Sequence, residues 1–290
     1  ETGSTGSRTI GIHWGQEFFD QNGVVRECSK WDYELRSGQP VDEIVGRAMD
    51  IAMSEPRGPV YLSLPREVLA EPAVGAANGE AVTSLGAEAP AANADAIDKA
   101  AAILAKADMP LILTSAAGRS DKAFRALSKL AEAYAIPVAQ GAGLNIPYDH
   151  PMNLGALPGA MLDKADAILV IDSEVPWIPL VKGPRDDARI IQMSSDPLYS
   201  TYPFRGFSAD LLVSGAAEHA LPALADAIKP KMRGRKRRLQ TRAKQVAAEV
   251  KRRRAARAKV LRGARSQTPI HPAWVAECLN AHINKKTVLV

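Results

Sequence analysis

The sequence predicts an α/β protein whose centre is a doubly wound parallel-sheet domain. Three observations carry that reading. Short apolar runs at 110–114, 136–139 and 167–172 alternate with segments whose apolar residues recur at helical spacing. The runs are apolar at nearly every position, as expected of strands covered on both faces. A further strand, residues 58–67, is bracketed by Pro59 and Pro65, which lack an N–H and are tolerated at strand ends.

The elements follow in order. Residues 41–53 place Val41, Ile44, Val45, Ala48, Ile51 and Ala52 on one helical face, and this helix feeds the 58–67 strand. Residues 70–93, rich in Ala, Gly, Glu and Pro, read as a linker. The central domain is expected over 94–229. Its first helix is 95–106, with Ile97, Ala101, Ile103 and Leu104 inward, followed by strand 110–114. A second helix, 120–135, is capped by Ser120 or Asp121 and turns Phe124, Leu127, Leu130 and Ala131 inward. Strands 136–139, 167–172, 189–193 and 211–213 complete a sheet of five, and 216–228 is an outer helix. Residues 230–267 read as a long solvated linker helix with a narrow apolar stripe of Leu239, Val246, Val250 and Leu261. Residues 268–290 open with a helix started by Pro272 and close on the strand signal 286–290.

Composition excludes several classes. The 290 residues are 46% hydrophobic and 24% charged, and no run approaches the length needed to span a bilayer, so no membrane partner is expected. Two distant cysteines, Cys28 and Cys278, and scattered histidines give no metal-ligand spacing and suit reduced thiols in the cytoplasm. The net charge of +5 is very uneven. Residues 229–265 hold 17 Lys or Arg against the single acid Glu249, which leaves the rest of the chain acidic. Such a segment could contact phosphates, but it has no interleaved aromatics and no recognition module, so a connector is favoured over nucleic-acid binding.

Gly11-Ile12-His13-Trp14-Gly15-Gln16-Glu17, then Ser29-Lys30-Trp31-Asp32-Tyr33 and the 58–65 strand, resemble the later part of the pyrimidine-binding domain of thiamine diphosphate enzymes. The similarity is greatest to the acetolactate synthase large subunit and its relatives, and it runs through the whole chain in the family's order. The resemblance implies partial thiamine diphosphate-binding domains on either side: the end of the pyrimidine domain at 1–69 and the start of the diphosphate domain at 268–290. It therefore implies an internal fragment of a longer protein.

Site expectations come from that resemblance. Gln16 corresponds to a glutamine at the mouth of the cofactor pocket, where an amide can donate to and accept from a 2-oxoacid adduct. Gly15 stands where the family has Phe, which removes an aromatic wall; read on its own, Gln16 is a surface-loop glutamine. Lys30 falls near a lysine that would attract a carboxylate substrate, and a solvated strand lysine is the alternative. His13 is the one histidine inside the segment; His150, His219, His271 and His282 are assigned to surfaces and caps. Gly141-Ala142-Gly143 lacks the third glycine of a dinucleotide fingerprint. The 154–159 loop lacks the family's histidine, which argues against FAD.

The implied cofactors of the parent are thiamine diphosphate and Mg²⁺. Neither the early pyrimidine-domain Glu nor the Gly-Asp-Gly…Asn-Asn metal segment occurs in these residues, so no catalytic residue is expected here. The implied reaction is attack of the thiamine ylide on a 2-oxoacid, loss of CO₂ and transfer to an acceptor, in a homodimer or homotetramer. A thiamine-dependent 2-oxoacid decarboxylase or a 2-hydroxyacyl-CoA lyase is the alternative.

Overall fold

The computed structural model describes residues 10–72, 74, 85–284 and 286–288. Residues 73 and 75–84 of the expected 70–93 linker and 289–290 of the 286–290 strand signal lie outside the described residues. The chain divides into two compact units, Glu1–Pro90 and Ala91–Val290.

In the first unit, a short helix α1 (Ile12–Gly15) precedes β1 (Trp31–Glu34), α2 (Val41–Met53), β2 (Val60–Ser63) and α3 (Arg66–Leu69). The strands β1 and β2 pair in parallel, Trp31 opposite Val60 and Glu34 opposite Ser63. Trp31 and Tyr33 share a face and stack, ring centroids 5.6 Å apart. Helix α2 has the bounds its periodicity predicts. Its apolar face is only partly covered, since Ala48 is buried while Val41 and Val45 are exposed.

The second unit contains α4 (Ala94–Lys106), β3 (Pro110–Thr114), α5 (Asp121–Ala133), β4 (Val138–Gln140), β5 (Asn153–Gly155), α6 (Met161–Lys164), β6 (Ala167–Ile171), β7 (Arg189–Ser194), β8 (Leu211–Ser214), α7 (Ala217–Lys231), α8 (Lys236–Ala264) and α9 (Pro272–Asn280). The strands form one six-stranded sheet in the order β5-β4-β3-β6-β7-β8. Every neighbouring pair is parallel. Every residue of β3 and β6 is buried, which confirms cover on both faces. Helix α7 packs against both α4 and α5.

Local chemistry sets the boundaries. Asn93 caps α4 by accepting from the amides of Asp95 and Ala96. Ser120, not Asp121, caps α5. Ala123, Leu127, Leu130 and Ala131 form the buried face of α5; Phe124, expected inward, is only half-buried.

The sheet has six strands, not five. The missed strand, β5, has the sequence Asn-Leu-Gly and sits at the edge, so it needs neither length nor an apolar run. Two residues of the expected 154–159 loop therefore belong to it.

The basic segment forms helix α8, 29 residues long, about 44 Å, with most of its residues exposed and a narrow apolar stripe on one side, as expected. The sequence did not predict that several of its arginines bond to backbone carbonyls of this unit. Val246 and Val250 join the hydrophobic core, with Leu239 packed against it, while Leu261 lies outside that core. Arg242 is 2% exposed. Its guanidinium donates to the carbonyls of Ala107 at 2.7 Å, Tyr134 at 2.8 Å and Asp108 at 3.0 Å. Arg235 and Arg238 add bonds to the carbonyls of Ala105 and Lys106. The carbonyls at the C-terminal ends of α4 and α5, which have no intrahelical partner, are thus satisfied by arginines from α8. Further along, Arg253 donates to Leu154 of the edge strand at 2.9 Å, and also to Leu157 and Pro158. A covered edge strand cannot template further pairing.

Candidate functional site

The first unit positions the three residues singled out from the sequence in different ways. Gln16 lies exposed at the C-cap of α1, and His13, within α1, is half-buried. Lys30 precedes β1 and donates from Nζ to the carbonyls of Ile51 at 2.6 Å and Ser54 at 2.7 Å. It closes the end of α2, as a cation at a helix C-terminus does. Burial pushes its pKa down, against the opposing charge of Glu55.

The segment after Gln16 is tied to the small sheet. Asn22 is buried and its Oδ1 accepts from the hydroxyl of Ser63; Gln21 donates to the Tyr61 hydroxyl at 3.0 Å. Arg26 bridges Asp20 at 2.8 Å and Asp32 at 2.9 Å. Its hydrogen bonds hold both carboxylates below their ordinary range.

In the second unit the sheet order decides where a ligand could sit. Numbered from β3, the order is 3-2-1-4-5-6, and it reverses direction between β3 and β6. Open α/β sheets bind ligands at that reversal, outside the carboxyl ends of the strands. Here Ser115, after β3, and Ser173, after β6, meet with their hydroxyls 2.9 Å apart. Asp172, immediately after β6, adopts φ of 43°, a left-handed conformation that costs about 1 kcal/mol or more in a non-glycine residue.

Asn145 ties the loop after β4 to this point. Its side chain accepts from Gly118 N at 2.8 Å and donates to the carbonyls of Ala142 at 2.9 Å and Ser115 at 3.3 Å. Gln140 Oε1 accepts from the amides of Asn145 and Ile146. Arg205, from the β7–β8 loop, donates to the carbonyls of Ser173 and Glu174 at 3.0 Å and to Gln192 Oε1 at 3.2 Å. Its guanidinium lies 4.4 Å from the ring centre of Tyr199 and 5.1 Å from that of Phe207. Burial lowers the Arg205 pKa; burial and the charge of Asp172 raise that of the Tyr199 phenol. These hydroxyls, amides and a guanidinium do not titrate near neutral pH, so they hold geometry rather than transfer protons. Sequence reasoning missed them because single polar residues after apolar strands look like ordinary loop residues.

The Gly141–Gly143 loop packs against β3, with Gly141 N donating to the Thr114 carbonyl at 2.8 Å. His271 caps α9, as expected, by accepting from Ala273 N. His150 does not lie on the surface: it is buried, with Nδ1 accepting from Met152 N.

A parallel sheet in this order, with core strands at 110–114 and 167–171, lies within residues 97–224, which match the family of thiamine pyrophosphate enzyme central domains. Over these residues the chain is similar to thiamine pyrophosphate enzymes. The chain is 31% identical over 179 residues to the probable 2-ketoarginine decarboxylase of Pseudomonas aeruginosa, covering 58% of this chain and 31% of that protein. It is 28% identical over 185 residues to the 2-hydroxyacyl-CoA lyase of Arabidopsis thaliana, covering 61% of this chain and 32% of the relative. The crystal structure of benzoylformate decarboxylase from Polynucleobacter necessarius superimposes with a TM-score of 0.58 at 21% identity, over 76% of this chain and 43% of that one, and supports the fold. The chain thus spans about a third of the length of these curated relatives.

The family implies thiamine diphosphate as cofactor. Among the described residues no group of three or more His, Cys, Asp or Glu could hold a metal ion. No catalytic step is assigned to these residues. No helix among the described residues is long and apolar enough to cross a membrane.

Proposed function

We propose that this chain is the central domain, with adjoining segments, of a thiamine diphosphate-dependent enzyme that cleaves the bond beside the carbonyl of a small 2-oxoacid or a 2-hydroxyacyl thioester. The match of residues 97–224 carries this reading. A decarboxylase or lyase is favoured because both activities occur among the relatives' names. Gly15, where acetolactate synthases carry Phe before the glutamine, points the same way. Carboligation of the acetolactate synthase type is the second reading, supported by the order of the motifs along the chain.

In this reading Gln16 lines the mouth of the pocket, exposed as such a residue must be. His13 sits one helical turn before it. Lys30 fixes the end of α2 beside the strands rather than meeting substrate directly. The parent is a cytoplasmic homodimer or homotetramer using Mg²⁺, with a small-molecule partner and no nucleic acid. The test is turnover by the full-length parent, loaded with thiamine diphosphate and Mg²⁺, on 2-oxoacids and 2-hydroxyacyl-CoA thioesters. Release of CO₂ or aldehyde is expected; acetolactate as the main product selects the second reading, and no turnover on any of them refutes both.

A further inference from the structure

Sheets of the 3-2-1-4-5-6 order characteristically hold a nucleotide at the reversal, its phosphates on the N-terminus of the helix after the first strand. That helix is α5. We propose that this crevice is occupied by the chain's own side chains, with Glu218 as the internal anion and Arg205 as the internal plug, so that the central domain takes no nucleotide. The inference rests on the sheet order and does not depend on the substrate.

The anion position is already filled. Ser120, the N-cap of α5, accepts from Ala123 N at 3.4 Å and donates to Glu218 Oε2 at 2.6 Å. Glu218 belongs to the first turn of α7 and keeps its side chain 25% exposed, so its charge sits at the mouth of the α5 N-terminus. A carboxylate there gains the helix-dipole attraction that a phosphate would otherwise have, and repels an incoming phosphate.

The turn between β3 and α5 is closed as well. A phosphate cradle needs a glycine that leaves room for the ligand. A Cβ on Gly118 would instead collide with the Leu144 carbonyl oxygen, so this glycine serves a backbone-to-backbone contact. Ser115 and Ser173 bridge the reversal itself, and Arg205 is held by three acceptors and two rings beside it. Opening the crevice for a pyrophosphate would break these contacts together.

The test has two arms on the full chain. Calorimetric titration with ADP, FAD and NAD should show no saturable binding up to about 1 mM, weaker than about −4 kcal/mol. In the second arm, thermal unfolding of Glu218→Ala and of Glu218→Gln, which keeps a hydrogen-bonding group but not the charge, is followed with inorganic phosphate. Both variants should be stabilised by phosphate at concentrations at least about tenfold below those that affect the wild type, because the vacated helix N-terminus then accepts an external anion. Micromolar binding of any of the three nucleotides by the wild type overturns the proposal. So does an identical phosphate response in wild type and both variants.

Discussion

Arg242 of α8 donates to the carbonyl of Ala107, 2.7 Å away, from a side chain that is 2% exposed. One guanidinium thereby closes the end of α4 and, through Tyr134, the end of α5. Desolvation pushes its pKa down to about 10, with the neighbouring charge of Arg238 acting in the same direction. The cation is retained because three carbonyls accept from it.

Replacing Arg242 with Met is expected to destabilise the second unit by about 3 kcal/mol or more, since each buried carbonyl left unpaired costs about 1–3 kcal/mol. Arg237→Gln, at an exposed position of the same helix, should stay within about 0.5 kcal/mol of wild type. Urea unfolding followed by tryptophan fluorescence compares the two. Equal effects would show that the charge of α8 matters only collectively.

Truncation tests the same packing on a larger scale. A chain of residues 91–267 should unfold cooperatively, whereas 91–231, which lacks α8, should lose its Val246 and Val250 contacts and its arginine caps and be degraded faster by protease. Comparable protection of both chains would return α8 to the role of a connector.

Glu249 predicts an acid dependence. Hydrogen bonds from Arg252, then from Arg253, hold its carboxyl at about 2, from 4.5. A carboxyl with a depressed folded pKa contributes stability above its unfolded value and loses it as pH falls through the folded value. Wild type should therefore lose more thermal stability than Glu249→Gln between about pH 4.5 and about pH 2, by of order 1 kcal/mol once screening is allowed for. Parallel acid profiles would contradict this.

Gly118→Ala should cost at least about 2 kcal/mol, because the added methyl meets a backbone carbonyl that cannot rotate away. Gly263→Ala, where a Cβ meets nothing within 4 Å, serves as the control and should be neutral or stabilising. Melting temperatures of the two variants decide.

The 290-residue chain on its own is expected neither to bind thiamine diphosphate with Mg²⁺ nor to turn over pyruvate, since the Glu and the Gly-Asp-Gly…Asn-Asn segment that the resemblance calls for do not occur in its sequence. Calorimetry with the cofactor and the metal is the measurement. Micromolar affinity would mean a diphosphate site built by other means.

The sequence by itself determined the α/β class, the strands from 110 to 214 apart from β5, and the bounds of α2, because apolar periodicity and capping residues are local signals. It also carried the resemblance that the match of residues 97–224 supports. Only the tertiary structure decided the sheet order and the edge strand Asn153–Gly155, which has no apolar run of its own and is defined by its pairing with Val138 and Ala139 of β4. It decided the fate of the basic helix too. Composition counts Arg242 and Arg253 as surface charge, whereas their partners are backbone carbonyls of residues 107–158, and carbonyls leave no trace in a sequence. For the same reason Ser115, Ser173 and Glu218 became legible only once the fold brought them to the carboxyl end of one sheet.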